Sequence, residues 1–312
     1  MRTTRSKSKE IATNLIESGR NTDVSPQSTG PILKALTPTP STTKLPATLL
    51  VRDTRLSNRD HKLLQLKQRR LRLEFPDHQV EYAGEPSLVN AAAATLVFAQ
   101  EAAGTAVCIS PDGLLLTCSH CIAESLEDLE REYADKGTTR RWLLFSSGQV
   151  VLAELIRKAW DNRRDLALLS IVAAQDPSGQ IAGTASLFPF VSLSASAPRL
   201  KDNLICIGHP GSEDLEAATP GLPTDYDVLH ISEGKFRGHE GGQNLQDNSE
   251  IGASKHDCWT YWGHSGAPLV SRQTGTLVGL HSSWDDEIGM RRGIALEAVK
   301  EFLDQHTAVA ID

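Results

Sequence analysis

An all-β fold, either a sandwich or a pair of barrels, is predicted for the chain from about residue 88 onward. Short apolar runs such as ATLVFAQ, GTAVCIS and LALLSIV alternate there with turn segments such as PDG (111–113) and HPG (209–211). Many short strands separated by turns that contain Gly and Pro are typical of an antiparallel sandwich or barrel. Two stretches in this region predict helices instead, 122–137 (IAESLEDLEREYADKG) and 294–305 (IALEAVKEFLDQ).

The first 80 residues differ from this body in charge and in composition. Residues 1–80 hold 15 Lys and Arg against 7 Asp and Glu, a net charge of +8, whereas the whole 312-residue chain carries −7. Residues 1–50 are rich in Ser, Thr and Pro, so we expect a disordered tail. Residues 51–80 form a basic arm, in which a capping Ser57 or Asn58 followed by spaced leucines predicts an amphipathic helix over 54–74.

The basic arm has several candidate roles. A solvated helix that leans on the body is the ordinary interpretation of such a charge run. Nuclear import, contact with nucleic acid through KQRRLR (67–72) and an inhibitory or targeting role are the alternatives. Residues 1–20 contain no apolar signal-peptide region, and no run reaches the roughly 18 to 20 apolar residues of a membrane span. A cytoplasmic or nuclear protein that does not cross a membrane is therefore expected.

The sharpest functional signal is GHSGAPLVS (263–271), in which Ser265 stands close between two glycines. Flanking glycines let the backbone fold tightly, so the hydroxyl is exposed and nearby N–H groups converge on one point. A nucleophilic serine needs that arrangement, because the N–H groups stabilise the negative oxygen of the tetrahedral intermediate. Ser265 is therefore the predicted nucleophile.

Two other motifs supply the partners that a nucleophilic serine requires. LLLTCSHC (114–121) ends an apolar strand with His120, and WDNRRDLALLS (160–170) opens another with Asp165. In a serine hydrolase the histidine takes and returns the proton of the serine, while the aspartate holds the imidazole in the right tautomer. The three residues together predict a catalytic triad of His120, Asp165 and Ser265.

The chain from about residue 88 to 305 resembles a trypsin-like serine peptidase of the chymotrypsin fold, in its HtrA-like and glutamyl-endopeptidase branches. The resemblance rests on GTAVCISPDGLLLTCSHCI, GQVVLAELIRKAWDNRRDLALLSI, NLICIGHPGS, HDCWTYWGHSGAPLV and GTLVGLHSS. It implies that residues 85–305 form two six-stranded antiparallel barrels, about 88–175 and 185–292, followed by a helix at 294–305. It also implies a catalytic crevice between the barrels, with the N–H groups of Gly263 and Ser265 as the oxyanion hole.

Two departures from this resemblance concern activation and assembly. His264 stands where secreted trypsins carry the Asp that receives a freed N-terminus, and the sequence has no Arg-Ile-Val-Gly-Gly-type activation site. Activation by that route is therefore not expected. No PDZ-sized region follows residue 305, so the oligomeric quality-control role of full HtrA proteins is not implied either.

The same resemblance implies that Thr260, Trp262, His281 and Ser282 bind the substrate. His281 and Thr260 fall where glutamyl endopeptidases place a His and a Thr against an acidic side chain. Because imidazole and hydroxyl groups can donate to a carboxylate, Glu or another polar residue is expected before the scissile bond. The alternatives are that His281 makes a core hydrogen bond, and that a bulky Trp259 or Trp262 narrows the pocket.

The predicted function is a serine endopeptidase that hydrolyses protein or peptide substrates through an acyl-enzyme. The alternative is a catalytically latent module on a protease fold that binds a peptide or protein partner, with the basic arm serving targeting or nucleic-acid contact. No cofactor is expected. Cys118, His120 and Cys121 lie close together, but a structural zinc site usually needs two such pairs, so no metal is expected and the five cysteines are predicted to be free thiols.

Overall fold

The computed structural model describes residues 42–100, 104–176, 188–219 and 221–307. The disorder expected for residues 1–50 falls mainly outside these residues, and the described end of that segment contains a two-residue strand, β1 (Thr43–Lys44). None of the described helices combines the length and the apolar character that crossing a membrane requires.

Six antiparallel strands form the first barrel. They are β2 (Thr95–Phe98), β3 (Thr105–Cys108), β4 (Leu114–Thr117), β5 (Arg140–Phe145), β6 (Val150–Asp161) and β7 (Leu166–Ala174). Neighbours follow the order β6-β5-β2-β3-β4-β7, and pairing of β6 with β7 closes the ring, while β1 lies parallel to the far end of β7. Every residue of β2, β3 and β4 is buried, which explains why these strands are mainly apolar and do not alternate between apolar and polar residues.

Six further antiparallel strands form the second barrel. They are β8 (Asn203–Gly208), β9 (His230–His239), β10 (Ser254–His256), β11 (Pro268–Ser271), β12 (Leu277–Asp285) and β13 (Met290–Ala295). Their order is β10-β13-β12-β11-β8-β9, and pairing of β9 with β10 closes this ring. The prediction of two six-stranded antiparallel barrels is confirmed.

The helices lie outside the barrels. They are α1 (Val51–Thr54), α2 (Asn58–Glu81), α3 (Pro86–Ala93), α4 (Leu126–Lys136) and α5 (Leu296–Thr307). Helix α4 is shorter than the predicted 122–137, because Ser119–Cys121 form a separate 3-10 turn and Ser125 caps the helix by accepting from the N–H of Asp128 at 3.2 Å. Helix α5 begins two residues later than predicted, because β13 extends to Ala295.

Helix α2 occupies most of the predicted basic arm and packs on the body. The hydroxyl of its N-cap, Ser57, accepts from the N–H of Asp60 at 3.1 Å. Leu64, Leu71 and Phe75 recur at helical spacing, and all three are buried in the main hydrophobic core. Their burial fixes which face of the helix meets the barrels and therefore which polar side chains can reach the loops beside it.

Candidate active site

The imidazole of His120 is placed by the turn that follows β4. Strand β4 ends at Thr117, whose hydroxyl donates to the carbonyl of Thr105 in the neighbouring strand at 2.7 Å. The 3-10 turn Ser119–Cys121 comes directly after it, and the indole N–H of Trp160 donates to the carbonyl of Ser119 at 3.0 Å. The rigid strand before it and the hydrogen-bonded turn that contains it thus fix the backbone of His120.

Asp165 lies in the tight turn between β6 and β7, at a φ of 54°. It is 5% exposed, yet four donors surround its carboxylate. Nδ1 of His120 lies 2.9 and 3.0 Å from the two oxygens, and the backbone N–H of His120 donates to Oδ1 at 3.2 Å. The hydroxyls of Ser119 and Ser282 add hydrogen bonds of 3.0 and 2.8 Å.

These contacts set the ionisation of the pair. Burial opposes the charged form of Asp165, but the hydrogen bonds from His120 and Ser282 and the charge of His120 outweigh it and lower the pKa of the carboxyl. Burial likewise works to lower the pKa of His120, while the hydrogen bond and the charge of Asp165 raise it, and the net shift is upward. The site therefore holds an ionised Asp165 beside an imidazole whose Nδ1 is committed to it.

Ser265 sits on a tight loop that fits closely against the first barrel. Gly263 and Gly266 flank it, and their φ values of 97° and 82° are ones that residues with a side chain rarely adopt. A Cβ atom on Gly266 would lie 2.1 Å from the carbonyl oxygen of Thr105, so no larger residue fits there. The N–H of Thr105 donates to the carbonyl of Ser265 at 2.7 Å, and the Ser265 hydroxyl donates to the carbonyl of Ser282 at 3.2 Å.

Two backbone N–H groups beside the serine are left open. Within the part of the chain that the structure describes, the N–H groups of Gly263 and Ser265 have no hydrogen-bond partner. The neighbouring carbonyls, by contrast, are engaged. The N–H of Gly211 donates to the carbonyl of Trp262 at 2.6 Å, and the hydroxyl of Thr105 donates to that of Gly263 at 2.8 Å. The loop can thus offer two donors to an oxygen atom bound next to Ser265.

His264 is fully buried beneath this loop. Its Nδ1 lies 3.0 Å from the carbonyl of Tyr261, and burial lowers its pKa to about 3. The ring lies over Gly208, where an added Cβ would come within 2.3 Å of the imidazole. A neutral, packed histidine therefore occupies the position at which the resemblance to secreted trypsins places an aspartate.

Nearly all the predicted site residues line one cleft of about 430 Å³. Of those residues, its lining includes His120, Asp165, Thr260, Trp262, Ser265, His281 and Ser282. Trp259 is not among the lining residues, because its ring packs against His230 and Tyr226 with centroids 4.4 and 5.1 Å apart. Trp262 does line the cleft and is 53% exposed, so of the two tryptophans it is the one that can narrow the cleft.

Two of the predicted substrate-binding residues also have partners inside the protein. The hydroxyl of Ser282 donates to Asp165, so this residue orients the carboxylate. Nδ1 of His281 lies 3.1 Å from Nε2 of His256, a buried residue that the sequence analysis did not single out. Burial, together with nearby positive charge, lowers the pKa of both imidazoles, that of His256 to about 3, so both are neutral. Ser119 is a further partner of Asp165 that the sequence analysis missed.

Three potential metal ligands meet beside the candidate triad, and each of them already has a hydrogen-bond partner in the protein. Ligand atoms of Cys118, His120 and Asp165 lie within 4.8 Å of one another. However, burial raises the pKa of the Cys118 thiol well above its usual value, and Nδ1 of His120 is already hydrogen-bonded to Asp165. A metal binds the thiolate rather than the thiol, so the raised pKa disfavours Cys118 as a ligand. All five cysteines lie in the described residues and none forms a disulfide.

Comparisons with known proteins bear on the family of this chain. The sequence profile of the trypsin-like peptidase domain matches residues 104–280, a span that contains His120, Asp165 and Ser265. Similar solved structures include the serine endoprotease from Yersinia pestis (18% identity, TM-score 0.48, 71% of this chain and 65% of that one). A second is the HtrA-type protease AlgW with a decapeptide, at 20% identity and a TM-score of 0.46, with 66% of this chain and 52% of that one covered. A third is Rv3671c from M. tuberculosis H37Rv in an inactive serine-to-alanine form, at 15% identity and a TM-score of 0.48, with 72% of this chain and 91% of that one covered.

This chain spans about two thirds of the Yersinia pestis chain and about half of the AlgW chain. The comparison with curated proteins finds no match.

Proposed function

Because the chain belongs to the trypsin-like peptidase family, we propose that it is a serine endopeptidase whose nucleophile is Ser265. One observation carries the proposal. His120 and the buried Asp165 form a hydrogen-bonded pair, and both line the same cleft as Ser265. A committed Nδ1 leaves Nε2 of His120 as the nitrogen that can accept a proton, which is the arrangement a serine nucleophile requires.

Catalysis proceeds in two halves. The Ser265 hydroxyl turns from the carbonyl of Ser282 toward Nε2 of His120, loses its proton there and attacks the scissile carbonyl carbon. The imidazolium is stabilised by Asp165 and returns the proton to the leaving amine, which yields an acyl-enzyme. Water then attacks the ester with His120 again as base, and Ser265 leaves with the proton. The raised pKa of His120 supports its role as acid in each half.

The N–H groups of Gly263 and Ser265 are proposed as the oxyanion hole. The absence of competing partners in the described residues leaves both donors available for the negative oxygen of the intermediate. The hydrogen bonds to the carbonyls of Trp262 and Gly263 support this role, because they turn those oxygens toward the protein. Donors that are oriented in advance need no reorganisation when charge develops.

A preference for Glu before the scissile bond is proposed from His281 and Thr260, which line the cleft. Nδ1 of His256 is buried without a partner in the described residues, which favours the tautomer in which its Nε2–H donates to Nδ1 of His281. The proton of the neutral His281 is then on Nε2, where it can donate to a carboxylate. Glu124, Glu216 and Glu250 also line the cleft, so this hydrogen bond competes with their repulsion of an acidic substrate.

Peptides that differ only in the residue before the scissile bond test this preference. A hydrogen bond to a charged group is worth about 1.5–3 kcal/mol, so Glu is expected to exceed Leu by roughly 10- to 100-fold in kcat/KM. The variant Thr260→Val removes one hydroxyl at nearly constant volume, and it is expected to lower the rate for Glu more than the rate for Leu. Dominance of Arg or Leu in the wild-type profile would refute the preference but leave the peptidase proposal intact.

A latent binding module is the second candidate. The observation that favours it is the hydrogen bond of the Ser265 hydroxyl to the carbonyl of Ser282, which holds the nucleophile away from His120. In this case the cleft would hold a peptide or protein partner without turnover.

Labelling of the full chain with a fluorophosphonate separates the two candidates. Wild type is expected to be labelled, whereas Ser265→Ala and His120→Ala are not. A folded wild-type chain that remains unlabelled, both with and without residues 1–41, would favour the latent module. The deletion stops at residue 41, because α2 contributes Leu64, Leu71 and Phe75 to the main core and cannot be removed cleanly.

A further inference from the structure

We propose that helix α2 positions the loop 261–266, here called the oxyanion loop, and that Glu74 is the residue through which it acts. The inference rests on the proposed peptidase function, and it assigns to the basic arm a role in the chemistry of the site. It stands on a continuous set of hydrogen bonds that leads from the helix to Gly263.

The carboxylate of Glu74 is the first link. Oε2 accepts the N–H of Val228 at 2.8 Å and that of Leu229 at 3.1 Å, immediately before β9 begins. Oε1 accepts Nε of Arg70 at 2.9 Å. The side chain is 13% exposed, so these bonds are largely shielded from water. A single carboxylate thus ties the segment before β9 to the helix.

The link continues through His209 to the oxyanion loop. Nδ1 of His209 lies 2.6 Å from the carbonyl of Val228, and burial lowers the pKa of this imidazole to about 3. A neutral histidine has one N–H, and here it is used on Val228. The backbone N–H of His209 donates to the hydroxyl of Thr105 at 3.2 Å, and that hydroxyl donates its own proton to the carbonyl of Gly263 at 2.8 Å.

The same short segment holds the peptide bond on the other side of Gly263. Gly211, two residues after His209, donates its N–H to the carbonyl of Trp262 at 2.6 Å. A Cβ atom on Gly263 would lie 2.4 Å from the carbonyl oxygen of His209, which shows how closely the two segments approach. A shift of the segment 209–211 therefore reorients both peptide groups that flank Gly263, including the N–H proposed for the oxyanion hole.

Helix α2 is itself anchored to both sides of this region. Nη2 of Arg70 donates to the carbonyl of Tyr226 at 2.9 Å and lies 3.6 Å from the carboxylate of Asp227. Nζ of Lys67 donates to the carbonyl of Phe98, at the end of β2, at 2.9 Å. The helix can thus hold the segment before β9 at a set distance from the first barrel. The buried His264 is neutral and forms no ion pair with a described residue, so it cannot anchor the loop by charge.

Loss of the Glu74 carboxylate is expected to slow chemistry without weakening substrate binding. Removal of one oxyanion-hole donor costs roughly 10²–10³-fold in kcat, and misplacement by about 1 Å can cost about 10²-fold. The loss of Glu74 would displace the N–H of Gly263 without removing it. We therefore expect Glu74→Ala to lower the rate constant of the chemical step by about 10- to 100-fold. Thr260 and His281 lie outside this set of hydrogen bonds, so the affinity for ligand is expected to stay unchanged.

The test measures kinact and KI separately for a fluorophosphonate on the full chain. Glu74→Ala should lower kinact with KI unchanged, and Glu74→Gln, which keeps an acceptor oxygen, should restore most of the loss. Gln68→Ala is the matched control, because Gln68 lies on the same helix but binds the carbonyl of Gly148 and the side chain of Gln175 in the first barrel. A wild-type kinact in Glu74→Ala, an equal loss in Gln68→Ala or no recovery in Glu74→Gln would overturn the proposal.

Amide hydrogen exchange measured by mass spectrometry tests the same coupling between Glu74 and the oxyanion loop, and it does not require an active protein. Glu74→Ala should speed exchange in peptides that cover 209–211 and 261–266 and leave those of β6 and β7 unchanged, whereas Gln68→Ala should not affect the loop. If the wild type is not labelled but exchange responds in this way, the peptidase proposal fails and the positioning role of α2 stands. Unchanged exchange at 261–266 refutes that role whether or not the chain is active.

Discussion

The packing of His264 against Gly208 predicts that substitutions at the two positions affect the free energy of unfolding in a coupled way, so that a change at His264 offsets the cost of a change at Gly208. Gly208 lies in β8 and its backbone conformation is open to any L residue, so an alanine there meets no backbone strain. Its methyl group would instead lie 2.3, 2.8 and 2.9 Å from three atoms of the His264 ring. That ring is fully buried, with Trp259 and His230 packed around it, and it cannot move aside freely.

The cost follows from overpacking. Insertion of a methyl group into a close-packed region typically destabilises by about 1–3 kcal/mol, and we expect Gly208→Ala to lower the free energy of unfolding by this amount. His264 lies next to Ser265, so the labelling rate with a fluorophosphonate should fall as well. His264→Ala removes the ring atoms that clash. The double variant is therefore expected to be more stable than the sum of the single changes predicts, by about 1–2 kcal/mol.

Urea unfolding of the wild type, both single variants and the double variant measures this coupling energy. Gly241→Ala is the control, because a Cβ atom there meets nothing within 4 Å, and it should change the free energy of unfolding little. Effects of Gly208→Ala and His264→Ala that add within about 0.5 kcal/mol would show that the ring and the added methyl group do not share the same space. The assigned packing beside Ser265 would then be wrong.

Two further predictions concern pH. Asp165→Asn removes the charge that raises the pKa of His120, so the acid limb of the pH profile of kcat/KM should move to lower pH. The rate should also fall by about 10⁴-fold. An acid limb that stays at the wild-type pH would contradict the assignment of His120 as base. Burial lowers the pKa values of His209, His256 and His264 to about 3, against about 6.5 when unfolded, so the unfolded chain binds more protons between these values. Stability should therefore fall as pH is lowered from about 6.5 toward 3. Urea midpoints measured between pH 7.5 and 5 check this, and the decline should be shallower in His256→Gln; equal midpoints would mean that the histidines are not buried as neutral groups.

The all-β class and the candidate triad could be predicted from sequence because their signals are local, whereas the closure of the strands into two barrels was implied by the resemblance to trypsin-like peptidases. Each triad residue stands at the end of an apolar strand or in a glycine-flanked loop, so a short window contains both the residue and its structural reason. The partners that set its chemistry are not local. Ser282 reaches Asp165 across 117 positions and Glu74 reaches Val228 across 154, and no periodicity links residues so far apart. His256 escaped notice for the same reason, since only the pairing of strands brings it to His281.

The basic residues of helix α2 fall into two sets, one that contacts the body of the protein and one that is exposed. The stretch KQRRLR suggests a uniformly solvated or nucleic-acid-binding surface, but Lys67 and Arg70 face the body and are occupied by its carbonyls and acidic groups. Other cations of the helix are exposed, namely Arg59, Lys62, Arg69 and Arg72. Among the cations of helix α2, the prediction of nucleic-acid contact therefore applies to these four. Because helical periodicity separates the two sets, a change in the outward set can alter binding to an anionic partner while the contacts of Lys67 and Arg70, and through Glu74 the oxyanion loop, remain in place.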